Sequence, residues 1–199
     1  MGAYYYLASQ LPYLIYGQTP PMSSEAFKEL AKPMLSKRDT ALLEMVSPDP
    51  CPPELSGEGP SYSENAPSSG SVFINSWREW ERTFRLNLAR HRSAKLHWEG
   101  SAPVTPPTEP TDAVTAASRI AGLSESPLEL EQHMDRERWD VIDGLQGLDT
   151  FSSSSVFAYL LKLMLLERHA SFQADKGFIE YKSLYASIVG GVVNNGDTK

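Results

Sequence analysis

Four histidines, His91, His97, His133 and His169, are the first side chains to consider for catalysis or metal binding. No two of them form a His-x-x-x-His or His-Glu-x-x-His pair, the spacing that puts two zinc ligands on one face of a helix. The single cysteine, Cys51, excludes an intramolecular disulfide and a multi-cysteine zinc site. The sequence therefore predicts no metal ion and no cofactor.

Motifs for a nucleophile or a nucleotide are missing as well. The run from Ser152 to Ser155 lacks the Gly-x-Ser-x-Gly elbow that exposes a catalytic serine, and is typical of a helix start. No glycine-rich phosphate loop or dinucleotide fingerprint occurs. These patterns favour a protein that is not an enzyme. One alternative is a small helical enzyme whose site brings His133 or His169 together with acids distant in sequence.

Composition indicates one folded domain. The chain has 199 residues, of which 41% are hydrophobic and 22% charged, close to globular averages. Its net charge of −7 argues against attraction of the whole molecule to nucleic acid or anionic lipid. The most apolar run, 156–166, is too short to span a bilayer, which takes about 20 residues, so it predicts a buried core helix. We expect a cytoplasmic protein without direct membrane insertion.

Helical signals dominate the N-terminal half. The aromatic segment 1–17 fits either a strand or a short buried helix. Two short helices are predicted, one that begins after Ser23 or Ser24 and is interrupted at Pro33, and one that follows Ser36. A long amphipathic helix is predicted from a capping box at Ser76 to about residue 98.

The C-terminal half predicts four more helices. They cover about 111–121, about 127–142 with a strong start signal at Ser126 and an end at Gly144, about 152–175, and 178–189. With the N-terminal helices these give an all-α, irregular helical bundle of about six to seven helices. We expect a single helical domain over 1–189 and a flexible tail over 190–199.

Two proline-rich segments interrupt the helices. Residues 47–70 hold six of the fifteen prolines and residues 100–110 hold four more. Such composition is typical of loops or extended linkers.

The charge pattern is uneven along the chain. From Arg78 to Lys95 there are six basic and two acidic side chains, whereas from Glu125 to Asp143 there are seven acidic side chains and two arginines. The simpler interpretation is that these two helices lie side by side, with exposed pairs worth under about 1 kcal/mol each. The alternative is that the basic helix meets an acidic protein partner. Nucleic-acid binding ranks third because the rest of the chain is strongly acidic.

Tyr4, Tyr5 and Tyr6 near the N-terminus also have two interpretations. Aromatic side chains with a polar tip usually serve the core. An exposed aromatic patch would instead be typical of a protein-docking surface.

Three blocks of sequence, taken together, match the pattern of a known family. The first is the Tyr4-Tyr5-Tyr6-Leu7-Ala8-Ser9-Gln10-Leu11-Pro12 opening with Pro20-Pro21-Met22-Ser23. The second is WERTFRLNLARHRSAKL over 80–96, similar to a basic helix with an Arg-Asn core, although Leu86 here separates the two residues. The third is Ser126-Pro127-Leu128-Glu129 with the blocks at 138–139, 151, 158–163 and 166–168. These blocks resemble a bacterial domain-of-unknown-function family encoded among V-type (A/V-type) ATPase subunits.

The resemblance implies an all-helical component comparable to the C (eukaryotic d) subunit of V-type ATPases, a socket that couples the central stalk to the membrane ring without chemistry of its own. The expected function is a non-catalytic ATPase subunit or assembly factor, cytoplasmic and peripheral to the membrane through its partners. The alternatives are a free-standing helical adaptor and the small helical enzyme. The candidate interface residues are Tyr4, Tyr5, Tyr6, Arg78, Arg82, Arg85 and Arg92.

Overall fold

The computed structural model describes residues 4–49, 68–96, 107–123 and 126–171. These residues form seven α-helices, one short 3-10 helix over Lys32–Met34, and no strand. The helices are α1 (Tyr5–Gln10), α2 (Ser24–Ala31), α3 (Lys37–Glu44), α4 (Val72–Leu96), α5 (Thr111–Gly122), α6 (Pro127–Gln146) and α7 (Ser153–Ser171). The protein is thus an all-α, irregular helical bundle, as the sequence predicts. The predicted helix 178–189 and the tail 190–199 lie outside the described residues.

The core forms where α4 packs along α5 and α6, and where α7 packs along α6 and α2. On α4 the aromatic side chains Trp77, Trp80 and Phe84 are buried and stacked along one stripe, with ring centroids 6.0 and 4.9 Å apart. Each fully buried side chain of this size contributes about 1.5–3 kcal/mol relative to exposure. The stripe therefore anchors α4 in the centre of the bundle.

The most apolar run of the sequence lies in α7 and is buried on most of its circumference. Phe157, Leu160, Leu161 and Leu163 have no exposed surface. A helix that is apolar nearly all round must be surrounded by other elements. The prediction of a buried core helix over 156–166 is confirmed.

Three helix starts follow the capping signals of the sequence. The side chains of Ser23 and Ser36 accept backbone N–H bonds from Ala26 and Asp39, both at 3.1 Å. At α6 the capping box is complete, because Ser126 accepts from the backbone of Glu129 and the Glu129 carboxylate accepts from the Ser126 N–H at 2.9 Å. Such caps satisfy N–H groups that have no partner within the helix.

Two predicted helix boundaries are wrong. Helix α4 begins at Val72, not at Ser76, because Phe73 and Ile74 extend its buried stripe by one more turn and packing outweighs the cap signal. Helix α6 continues past Gly144 to Gln146, and Gly147, with φ +71°, ends it. A left-handed φ favours glycine, whereas a glycine within a helix is tolerated at modest expense.

The N-terminal segment adopts the short-helix alternative, not the strand. Helix α1 buries Leu7, and the Tyr4 N–H donates to the Phe151 carbonyl at 3.1 Å, which attaches the segment to the start of α7. Part of the second proline-rich segment is also described. The carbonyls of Pro107 and Glu109 accept hydrogen bonds from Asn87 and Thr83, at 3.0 and 2.9 Å, so this stretch lies along α4.

Candidate functional site

A buried ion-pair network joins α4 to α6. The Glu81 carboxylate accepts from Nε and Nη2 of Arg138 at 3.1 and 2.9 Å, and from Nε of Arg85 at 2.6 Å. Glu81 is 0% and Arg138 4% exposed. Arg138 also donates to Asp135 at 2.8 Å, and Arg168 of α7 lies 3.7 Å from the same carboxylate. The network therefore links three helices, and its members Glu81, Asp135 and Arg138 are buried.

The expectation that bases of α4 pair with acids of α6 is wrong for the buried pair, because α4 supplies the acid and α6 the base. Glu81 is one of the few acids of the basic helix α4, and Arg138 is one of the two arginines of the acidic helix α6. Each of them therefore carries a charge of opposite sign to the overall charge of its own helix. Other acids of α6 pair elsewhere, Glu137 with Arg119 of α5 and Asp143 with Lys162 of α7. The two helices pack together, and among the described residues no exposed ion pair of the predicted kind is found between a base of α4 and an acid of α6.

Burial and charge act against each other on the titratable groups of the network. Burial lowers the pKa of Arg138, but the charges and hydrogen bonds of Glu81 and Asp135 together outweigh it and the pKa lies above its ordinary value. Burial raises the pKa of Asp135 despite the nearby Arg168 and Arg138. The Asp135 Oδ2 atom is buried without a hydrogen-bond partner. Asp135 is thus the weakest-compensated charge of the network.

An open cleft of about 700 Å³ lies over this network. One wall is a face of α4, the other is α6, and the end of α7 and residue 49 complete it. We call it the arginine cleft. Its lining residues are Asp49, Arg85, Leu88, Ala89, Arg92, Ser93, Leu96, Glu131, Met134, Arg138 and Arg168.

Of the four arginines predicted at an interface, two line the arginine cleft. Arg85 lies at its inner end, where Nη2 also donates to Asp49 at 2.8 Å, and Arg92 is exposed at its rim. Arg78 instead donates to the Met45 carbonyl at 3.2 Å. Arg82 is partly buried, and its Nε has no hydrogen-bond partner.

The three predicted tyrosines differ from one another in exposure. Tyr4 is buried, its hydroxyl donates to the Asp39 carboxylate, and its hydroxyl oxygen accepts from the Ser36 N–H at 3.3 Å. Tyr5 and Tyr6 are both 66% exposed. Tyr4 therefore follows the core interpretation, whereas the other two are available at the surface.

The histidines do not converge on a pocket among the described residues. His133 is exposed, and the ring of His169 lies against Tyr16, 5.9 Å between centroids. A second cleft, of about 360 Å³, is lined by Tyr13, Trp139 and Lys162 among others, and by no histidine of the described part of the chain. Within that same part, no group of three or more His, Cys, Asp or Glu side chains is arranged to hold a metal ion.

Sequence reasoning missed the acidic members of the network and Arg138. Glu81 falls on the buried stripe of α4 between Trp77 and Phe84, at the spacing where an apolar side chain is expected. A charged residue at such a position signals a buried ion pair. The position of Glu81 within the apolar stripe of α4 could therefore have identified a buried ion pair from the sequence.

Comparison with known protein families identifies the family of this chain. The model of a family described as "Protein of unknown function (DUF2764)" matches residues 59–192, well over half of the chain. The chain belongs to this family. No curated protein and no solved structure matches it. Membership of DUF2764 thus agrees with the resemblance to a family of unknown function, and the family's description names no ATPase.

The described helices of this DUF2764 chain can also be compared with what a membrane-spanning helix requires. None of them combines the length and the apolar character that crossing a bilayer requires.

Proposed function

We propose that this protein is a non-catalytic helical component or assembly factor of a V-type ATPase, located in the cytoplasm and held near the membrane by its partners. The sequence resemblance to a family encoded with such ATPases suggests the assembly. In that role the chain links the central stalk to the membrane ring and turns over no substrate.

One observation carries this proposal: the interior charges of the described bundle bind one another across helices. Glu81 and Arg138 are 57 positions apart in sequence, and their paired charges hold α4 against α6. A bidentate Arg–carboxylate pair fixes orientation as well as distance. A component that transmits force between partners needs helices locked in this way, together with broad contact surfaces.

Affinity purification from the native organism tests the proposal. The tagged full-length chain is expected to recover stalk or ring subunits of the ATPase, identified by mass spectrometry, at near-stoichiometric yield. A strain carrying the tag alone is the control. Recovery of none of these subunits under conditions that keep the ATPase intact contradicts the proposal.

A second candidate function, a free-standing helical adaptor, is favoured by exposed aromatic side chains in the N-terminal segment. Tyr5, Tyr6 and Tyr13 are 66–88% exposed, and tyrosine is enriched in protein interfaces. The same purification distinguishes the two functions, because an adaptor recovers a stoichiometric partner that is foreign to the ATPase.

A further inference from the structure

We infer that the arginine cleft binds an acidic amphipathic helix of a partner protein. The inference deepens the proposed function, on which it rests, by stating the chemistry of the partner. It depends on the charge of the cleft rim, on the apolar surface of its floor, and on its length. Each of these is a property of the described residues.

The charge of the rim comes from the second half of α4. From Arg82 to Leu96 this helix carries five Lys or Arg and no acidic side chain, and two of the five, Arg85 and Arg92, line the cleft. Arg92 lines the cleft at its rim, and no acid of the described residues forms an ion pair with it. An exposed guanidinium is the side chain best suited to bind a carboxylate in two parallel hydrogen bonds.

The floor of the cleft is apolar. Leu88 and Met134 lie at its base, and Leu96, 70% exposed, extends the apolar surface to the end of α4. A site for a small anion or for a nucleic-acid backbone needs no such floor, whereas an amphipathic helix buries its apolar face against one.

The cleft has the length of a short helix. From Arg85 to Leu96 the α4 wall spans eleven residue steps, about 17 Å at 1.5 Å per residue. This is about three turns of a docked helix, enough for several of its side chains to contact the cleft.

Two acids line the cleft, Glu131, which is bound to Arg168 of α7, and Asp49, which occupies part of the proposed site. Asp49, 56% exposed, accepts from Nη2 of Arg85 at 2.8 Å, while Glu81 binds the Nε of the same arginine from beneath. A carboxylate of the partner reaching Arg85 must displace Asp49. Removing the Asp49 charge is therefore expected to strengthen binding, the opposite of removing Arg92.

Fluorescence anisotropy with two helix-stapled peptides tests the inference. One probe, of about 14 residues, carries leucines on one face and glutamates on the other, and its matched control carries lysines in place of the glutamates. At about 0.15 M salt, where long-range attraction is screened, the full-length protein is expected to bind the acidic probe at least about tenfold more tightly than the lysine probe.

The protein variants locate the binding. Arg92→Glu is expected to weaken the acidic probe about tenfold or more. Arg90→Glu makes the same charge change on the same helix outside the cleft, and is expected to change binding less than about twofold. Asp49→Asn is expected to strengthen binding. Circular dichroism melting of each variant verifies that it is folded.

Three outcomes overturn the inference: equal effects of Arg92→Glu and Arg90→Glu, equal binding of the two probes, or tighter binding of a single-stranded polynucleotide in place of the acidic probe. Its failure is separable from that of the proposed function. If the Arg92→Glu chain still recovers ATPase subunits at full yield, the function stands and the cleft is not the docking site. If no ATPase subunit is recovered while the acidic probe binds the cleft, the cleft inference stands and the assembly is different.

Discussion

The carboxylate of Glu81 and the guanidinium of Arg138 form a two-point contact, 2.9 and 3.1 Å, between α4 and α6. Each residue carries the charge that is in the minority on its own helix. Because both are withdrawn from solvent, their desolvation is compensated only while both are present. The pair thus makes the packing of α4 on α6 dependent on one specific match of charges.

A double-mutant cycle measures this dependence. Glu81→Leu and Arg138→Met are each expected to lower the free energy of unfolding by about 3–5 kcal/mol, because each leaves a buried charge without its main partner. The double variant is expected to lose less than the sum of the two by at least about 1 kcal/mol. Urea denaturation followed by circular dichroism gives the three values.

The matched control for this cycle is an exposed ion pair. Arg119, 62% exposed, pairs with Glu137 at 2.8 Å, and Arg119→Ala is expected to change stability by less than about 1 kcal/mol. Additive effects of Glu81→Leu and Arg138→Met would show that the two side chains act independently, against the structure.

Two serines at sequence-predicted helix starts test where the helices begin. Ser126→Ala is expected to lower stability by about 1 kcal/mol, because it removes a side chain that accepts from the Glu129 N–H. Ser76→Ala is expected to be neutral or slightly stabilising, since residue 76 lies inside α4 and alanine favours helix. Thermal melting of both variants compares them directly. Equal losses would place a cap at Ser76 after all.

The helices of the described chain are predictable because their signals are local. Apolar spacing and serine caps identify α2, α3, α5, α6 and α7 to within a few residues. The start of α4 is less local, because Phe73 and Ile74 extend the helix only through the neighbours against which they pack. A cap signal at Ser76 does not contain that information.

Only part of the arginine cleft can be predicted from the sequence, because the cleft forms between helices that are distant in sequence. The clustering of basic residues identifies Arg85 and Arg92, but their shared cleft depends on how α4, α6 and α7 cross. The pairing of Glu81 with Arg138 depends on a contact 57 positions apart. A single sequence marks Glu81 as a charge on an apolar stripe, yet does not name its partner.

The buried Tyr4 and the exposed Tyr6 are expected to differ in their contribution to stability. Tyr4→Phe is expected to lower the free energy of unfolding by about 1–2 kcal/mol, because it removes a buried hydroxyl that joins the segment to Asp39 and Ser36. Tyr6→Phe, at a side chain 66% exposed, is expected to leave stability unchanged. Urea denaturation measures both. A loss for Tyr6→Phe as large as for Tyr4→Phe would contradict the observed burial.

Alkaline pH is expected to weaken the attachment of the loop between α1 and α2 to the core, because two tyrosine hydroxyls bind this loop to α6 and α7. Burial raises the pKa of Tyr16 to about 12, with the Asp135 charge adding to it, and burial raises that of Tyr159 to about 12. Tyr16 donates to the Gln132 carbonyl and Tyr159 to that of Pro12, bonds that need the protonated hydroxyl. In the unfolded chain both ionise near pH 10.

Between about pH 10 and 12 the folded state therefore holds more protons than the unfolded state, and the free energy of unfolding falls as pH rises. The contribution of these two groups is fully present below pH 10 and is lost through about pH 12. Urea denaturation at a series of pH values measures the slope, which Tyr16→Phe and Tyr159→Phe are each expected to reduce. Tyr13→Phe, at a side chain 88% exposed, is the control. An equal slope in all four proteins would mean that Tyr16 and Tyr159 ionise as readily in the folded chain as in the unfolded one.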